Sequence, residues 1–147
     1  MKGSLLACLF GLLILSACRK NEAINDAKGS WKLTEVFDKN TNTVIHPPAG
    51  SNMDVVISFL NTTQFAGHTL RNSLSNGVYT QTGSYIIFKA FSMTRIAEDA
   101  WGENFLTVLN ACSLQSTAPC SPSKILIEGN TMKIFTSLRY DITLQKI

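Results

Sequence analysis

The chain has 147 residues, 45% hydrophobic and 16% charged, with 13 Lys and Arg against 10 Asp and Glu. That length supplies one domain with a single core and leaves no room for a second. The basic residues are scattered singly, without the runs that mark a nucleic-acid or polyanion surface, so nucleic acid is excluded as a partner.

The N-terminus carries one positive charge at Lys2, an apolar run from Leu5 to Leu15, then Ser16, Ala17 and Cys18, the layout of a cleavable export signal over residues 1–17. The run falls short of the roughly 20 apolar residues a spanning helix needs, and Arg19-Lys20-Asn21-Glu22 is polar at once. Leu15-Ser16-Ala17-Cys18 resembles the lipobox of bacterial lipoproteins. The resemblance implies cleavage between Ala17 and Cys18, with a diacylglyceryl group on the Cys18 thiol and acylation of the new amine. Each buried methylene adds about 0.8 kcal/mol of membrane affinity, so two or three chains make a lasting anchor. Loss of Lys2 leaves 12 basic residues against 10 acidic, close to neutral. In enterobacteria an Asp directly after the lipidated cysteine holds the protein in the inner membrane; here that residue is Arg19, which points to the outer membrane, facing either the periplasm or the outside.

Residues 18–28 are polar and aperiodic and read as a flexible tether with a reach of roughly 30 Å when extended. The globular part spans residues 29–147. Along it, short stretches rich in β-branched and aromatic residues alternate with Gly, Asn, Pro and Ser, which predicts an antiparallel, mainly β domain. The predicted strands are Trp31 to Phe37, Val55 to Leu60, Gln64 to Gly67, Val78 to Gln81, Tyr85 to Phe88, Lys124 to Glu128, Met132 to Thr136 and Tyr140 to Lys146. His46-Pro47-Pro48 must be an irregular connection or an edge, because proline donates nothing to a ladder. Thr82-Gly83 and Gly129-Asn130 mark tight turns, the second with glycine in the first central position. From about Asp99 to Ala111, Trp101, Phe105, Val108 and Leu109 recur at helical spacing, and Cys112 continues that face. This predicts a helix over an open edge or mouth of the sheet, burying Trp101 and Phe105. Glu98, Asp99 and Glu103 fall at its start, where the helix dipole favours negative charge.

Of the four cysteines, Cys8 leaves with the signal and Cys18 is spent on lipid. Cys112 and Cys120 remain as an even pair in an oxidising compartment, read as a disulfide that contributes roughly 2 to 3 kcal/mol. The rival readings are a redox pair, for which the spacing is wide, or a metal site, for which no nearby histidine completes a shell.

Residues suited to chemistry are few. His46 and His68 lie in no recognisable catalytic setting, and GxSxG, HExxH, a phosphate-cradling glycine loop and CxxC are all missing. The cluster Glu98-Asp99 with Glu103 lacks the alternating oxygen ligands of a calcium loop. Trp31, Trp101, Tyr79, Tyr85 and Tyr140 read as core pieces ahead of a stacking platform. The expectation is a non-enzymatic protein with no catalytic residue, no metal and no cofactor.

From Trp31 onward the order of motifs resembles the META (HslJ-like) domain family. Trp31-Lys32-Leu33 is similar to its first strand; Phe65-Ala66-Gly67, Asn72 and Gly77-Val78-Tyr79 to its F-x-G, N and G-x-Y succession; Ser92-Met93-Thr94 to its threonine-methionine stretch. The acidic helix follows, and Ile127-Glu128-Gly129-Asn130-Thr131-Met132 resembles its late hairpin. Family members often carry cysteines where this chain has Arg71 and Arg95, so their disulfide is not transferred. The resemblance implies a compact antiparallel, partly open β-barrel-like domain with one α-helix packed across it, and a stress- or envelope-associated role without an enzymatic site. The partners expected are the membrane, through the lipid on Cys18, and an envelope protein or polymer.

Two other readings compete. Gly29-Ser30-Trp31 matches the G-x-W that opens lipocalins, with Arg139 placed to cover the tryptophan, which implies a carrier of a small apolar ligand. The Cys112 to Cys120 loop, stiffened by Pro119 and Pro122, suits an inhibitor that inserts an exposed tip into a partner's cleft.

Overall fold

The structure, a computed structural model, describes residues 26–115 and 118–147. Nine strands and one helix follow in chain order: β1 (Gly29–Asp38), β2 (Thr43–Ile45), β3 (Val56–Phe59), β4 (Gln64–His68), β5 (Ser73–Thr82), β6 (Tyr85–Met93), α1 (Ala100–Leu109), β7 (Ser123–Glu128), β8 (Thr131–Phe135) and β9 (Tyr140–Lys146). Each strand from β3 to β9 pairs antiparallel with the next. β1 then joins the two ends, pairing with β3 through Gly29–Lys32 and with β9 from Trp31↔Lys146 to Asp38↔Tyr140. The result is a closed eight-stranded antiparallel barrel, with β2 as an extra strand against the far half of β1.

The mainly β class with a single helix packed across it is as the sequence predicts. Closure goes further than the partly open barrel expected, because β1 is long enough to meet a different partner along each edge. β2 has no counterpart among the predicted strands, since three residues carry too little pattern. β5 starts five residues earlier than expected and β6 runs on to Met93. Both extensions cross register shifts at Ser75/Val78 and Val78/Tyr79, and a bulge breaks the period-two alternation that marks a strand. His46-Pro47-Pro48 is the irregular connection after β2, as expected.

Turn chemistry holds the hairpins. Thr82 pairs with Tyr85 across Gly83 and Ser84, and Glu128 pairs with Thr131 across Gly129 and Asn130. Gly83 and Gly129 have φ of 56° and 58°, each at the first central position where a two-residue hairpin asks for a left-handed backbone.

The barrel interior is filled by its own side chains. Trp31, Leu33, Ile57, Phe59, Phe65, Tyr79, Ile86, Ile125, Met132 and Ile134 are all fully buried. Phe59 and Phe65 meet Tyr79 and Phe88 edge-on or tilted, at centroid distances from 4.9 to 6.5 Å, the arrangement aromatic quadrupoles favour. Gly77 is required by this packing: a Cβ there would stand 2.6 Å from the ring of Phe65.

α1 buries Trp101, Phe105, Val108 and Leu109, the face the spacing predicts, and packs against β9 and β1. Asp99 caps it, its Oδ1 accepting from the Gly102 backbone N–H at 2.9 Å. The helix lies across from a gap in the barrel wall, against β9 and β1. β7 pairs with β6 only through Tyr85 and Ile86, so the chain must travel back from Met93 to Ser123 along the unpaired remainder of β6. Ten helical residues cover about 15 Å of that return. Val108 and Leu109 thereby come to face Ile86, Ile87 and Phe88.

Candidate functional site

Ala17 and Cys18, the predicted cleavage and lipidation residues, lie outside the described residues, as does the whole signal segment. Cys112 and Cys120 are joined by a disulfide with a Cα–Cα distance of 5.2 Å. The bridge clamps the turn after α1 to the segment that enters β7. Gln115 reinforces the clamp, donating to the carbonyls of Ala111 and Ser121 and accepting from the Ser121 N–H.

The acidic residues at the helix start do separate jobs. Asp99 is the cap, Glu103 sits in the first turn, and Glu98 precedes the cap, its Oε1 accepting from the Asp99 N–H at 3.3 Å. Its Oε2 accepts from the Thr69 hydroxyl and, at 2.8 Å, from Nδ2 of Asn72. Asn72 is 2% exposed. Its amide also donates to the Ile96 carbonyl at 2.8 Å, and its Oδ1 accepts from the Ile96 N–H and the Thr94 hydroxyl. Thr69, Asn72 and Glu98 thus tie the β4–β5 turn to the strap that leads from β6 into α1. The carboxyl of Glu98 lies directly over Gly102, where any Cβ would collide with it. Asn72 belongs to the motif order noted in the sequence, but its role as the hub of a polar lock shows only in three dimensions.

His68 is half-buried, with Nδ1 3.3 Å from the Thr69 carbonyl, and His46 is exposed. Trp31, Trp101 and Tyr79 are core residues as expected, the Tyr79 hydroxyl donating to the Asn61 carbonyl at 2.7 Å while burial raises its pKa. Tyr85 departs from the expectation and is exposed.

Arg139 does not cover Trp31. Lys146 does, with Nζ 5.4 Å from the ring centroid, while the indole N–H donates to the Ala27 carbonyl at 2.7 Å. The register explains the difference, since Trp31 pairs with Lys146 at the opposite end of β9 from Tyr140. Arg139 instead grips Asp38 with Nε at 2.9 Å and Nη2 at 2.5 Å, a two-pronged pair. These hydrogen bonds hold the Asp38 carboxyl down at about 2, against an ordinary 3.8, and the Asn40 N–H assists. A carboxylate whose folded pKa is depressed stabilises the fold above its unfolded value and loses that contribution as pH falls through the folded one. The melting temperature is therefore expected to drop as pH falls from about 4 to 2, and Asp38→Asn should flatten that limb in a thermal-unfolding titration.

The feature that remains is a groove of about 570 Å³ between β6 and the end of α1. One wall is Phe88 to Met93, continued by Arg95; the other is Leu109, Asn110 and Ser113. One face of a strand would contribute alternate residues only. A consecutive run means that the groove follows the strand's edge, the edge that β7 leaves unpaired from Ile87 onward. Lys89 and Arg95 are exposed, and the ion pairs of the described residues, Lys32 with Asp54, Lys39 with Asp141 and Arg139 with Asp38, include neither. Sequence reasoning missed this site because the bulged second half of β6 lacks strand alternation.

No family model and no curated protein matches the chain. Two solved structures share its fold. One, described as the NMR structure of the protein from Burkholderia xenovorans, is 17% identical, with a TM-score of 0.58 and 82% of each chain covered. The other, described as the NMR structure of the protein, is 16% identical, with a TM-score of 0.54, and covers 80% of this chain and 88% of its own. At such identity the likeness concerns the barrel alone.

Proposed function

We propose that this protein is a lipid-anchored bacterial envelope lipoprotein whose META-like barrel domain is non-catalytic and acts by contact with another envelope protein or polymer. The observation that supports it is how the side chains are spent: the barrel interior is packed with its own aromatics, and Glu98, Asp99 and Asp38 are committed to structural hydrogen bonds. What remains available to a partner is the outer surface, chiefly the β6 groove. Cys18 supplies the address, and the tether keeps the domain within a few nanometres of the bilayer.

The test uses the full chain in a bacterial host. Metabolic labelling with a tagged fatty acid is expected to mark the protein, and Cys18→Ala to abolish both the label and membrane fractionation. Crosslinking from the intact envelope is then expected to yield discrete adducts. Unlabelled wild-type protein in the soluble fraction would sink the anchoring, and absence of any adduct would sink the contact role.

A second reading has its own support. A closed eight-stranded barrel with a cation over its first-strand tryptophan suits a lipocalin-like carrier. The filled interior weighs against it, and saturable uptake of a fluorescent fatty acid by the purified chain would reverse that judgement.

A further inference from the structure

We propose that the free edge of β6 receives an extended, acidic segment of another polypeptide, which adds to the barrel as a further strand. The inference rests on the contact role just proposed and gives it a site and a chemistry.

The edge is long, about 20 Å from Ile87 to Met93, and on its side away from β5 it has no strand partner among the described residues. Its N–H and C=O groups call for a strand, because only an extended backbone matches their spacing. The groove beside it has the volume of a ligand site, about 570 Å³. α1 forms the far wall but offers no ladder, so it flanks an added strand without replacing one. Charge fixes the occupant: Lys89 and Arg95 line the groove, no acidic residue does, and Glu98 nearby is already engaged by Thr69 and Asn72. Met93 and Ile96, both exposed, supply apolar contact at the same end. A lysine and a bulge also guard edges against unwanted pairing. Here they discriminate, since a carboxylate-bearing strand gains from the same charges that repel a basic one.

The experiment uses the full chain in detergent micelles and a fluorescent peptide alternating valine and glutamate, long enough to span the edge. Saturable binding is expected, with slowed hydrogen exchange at the Ile87–Met93 amides, and a valine-lysine peptide is expected not to bind. Lys89→Glu with Arg95→Glu should weaken binding at least about tenfold, with circular dichroism unchanged because both side chains are exposed. Methylating alternate peptide amides along one edge should abolish binding if the backbone ladder is its basis.

Equal binding by the methylated peptide, an unaltered affinity in the double variant, or protection confined to β2 would each overturn the proposal, as would self-association through this edge. Envelope crosslinks that persist in the double variant would also overturn the edge assignment and leave the broader contact role standing. Failure of all crosslinking in the wild-type chain would remove that role itself, whatever the peptide does.

Discussion

Asn72→Ala is expected to lower the unfolding free energy by about 3 kcal/mol, a large part of the 5 to 15 kcal/mol typical of a domain. The Asn72 side chain makes four hydrogen bonds from a site with almost no solvent. Alanine would strand the Ile96 N–H and C=O and remove one of the three donors to Glu98, and each group left unpaired away from water costs roughly 1 to 3 kcal/mol. Relaxation of the strap toward water returns part of that sum. Urea titration should show a lower midpoint with the slope preserved. Thr69→Val, which removes a fully buried hydroxyl bonded to Glu98 and to the Arg71 and Asn72 N–H groups, should cost a comparable amount. If Asn72→Ala cost no more than a surface substitution, the lock would not be what holds the strap.

Phe105→Ala is expected to cost about 3 to 5 kcal/mol, the range for emptying a large aromatic site in a core. Phe105 is 0% exposed and lies at the middle of the face that docks α1 on β1 and β9. The cavity would open between α1 and the β1 and β9 strands on which it docks. Trp101 shares that face, so its fluorescence should shift to the red as the helix loosens. Guanidinium unfolding with a parallel fluorescence record would show both effects; a small loss without a spectral shift would mean that α1 is held chiefly by the disulfide and the Asn72 lock.

Much of the fold was legible in the sequence because its signals are local. Alternation marked the well-paired strands, glycine marked the two tight hairpins, and the spacing of Trp101, Phe105, Val108 and Leu109 marked the helix with the face it buries. The rest depends on partners distant in the chain. Closure of the barrel depends on β1 meeting both β3 and β9. Two of the three hydrogen bonds to Glu98 come from residues 26 and 29 positions away, so a carboxylate at the helix start also belongs to a second, distant structure. Lys146 displaced Arg139 over Trp31 because register, which no composition reveals, sets which end of β9 the tryptophan meets. The candidate site was the least legible of all. An unpaired edge is defined by what β7 fails to cover.

The seam between β1 and β9 also bears on how such a chain is made. Thr34 and Thr143, hydrogen-bonded across that seam, are 109 positions apart. A polypeptide that emerges from its N-terminus can lay Trp31 and Leu33 against β3 early, but it holds out the other edge of β1 until β9 arrives to close it. High contact order of this kind slows folding and prolongs exposure of unpaired strands. Biogenesis is then the stage at which this barrel most needs shielding, and truncation of even the last strand should leave a nascent chain for proteolysis instead of a smaller domain.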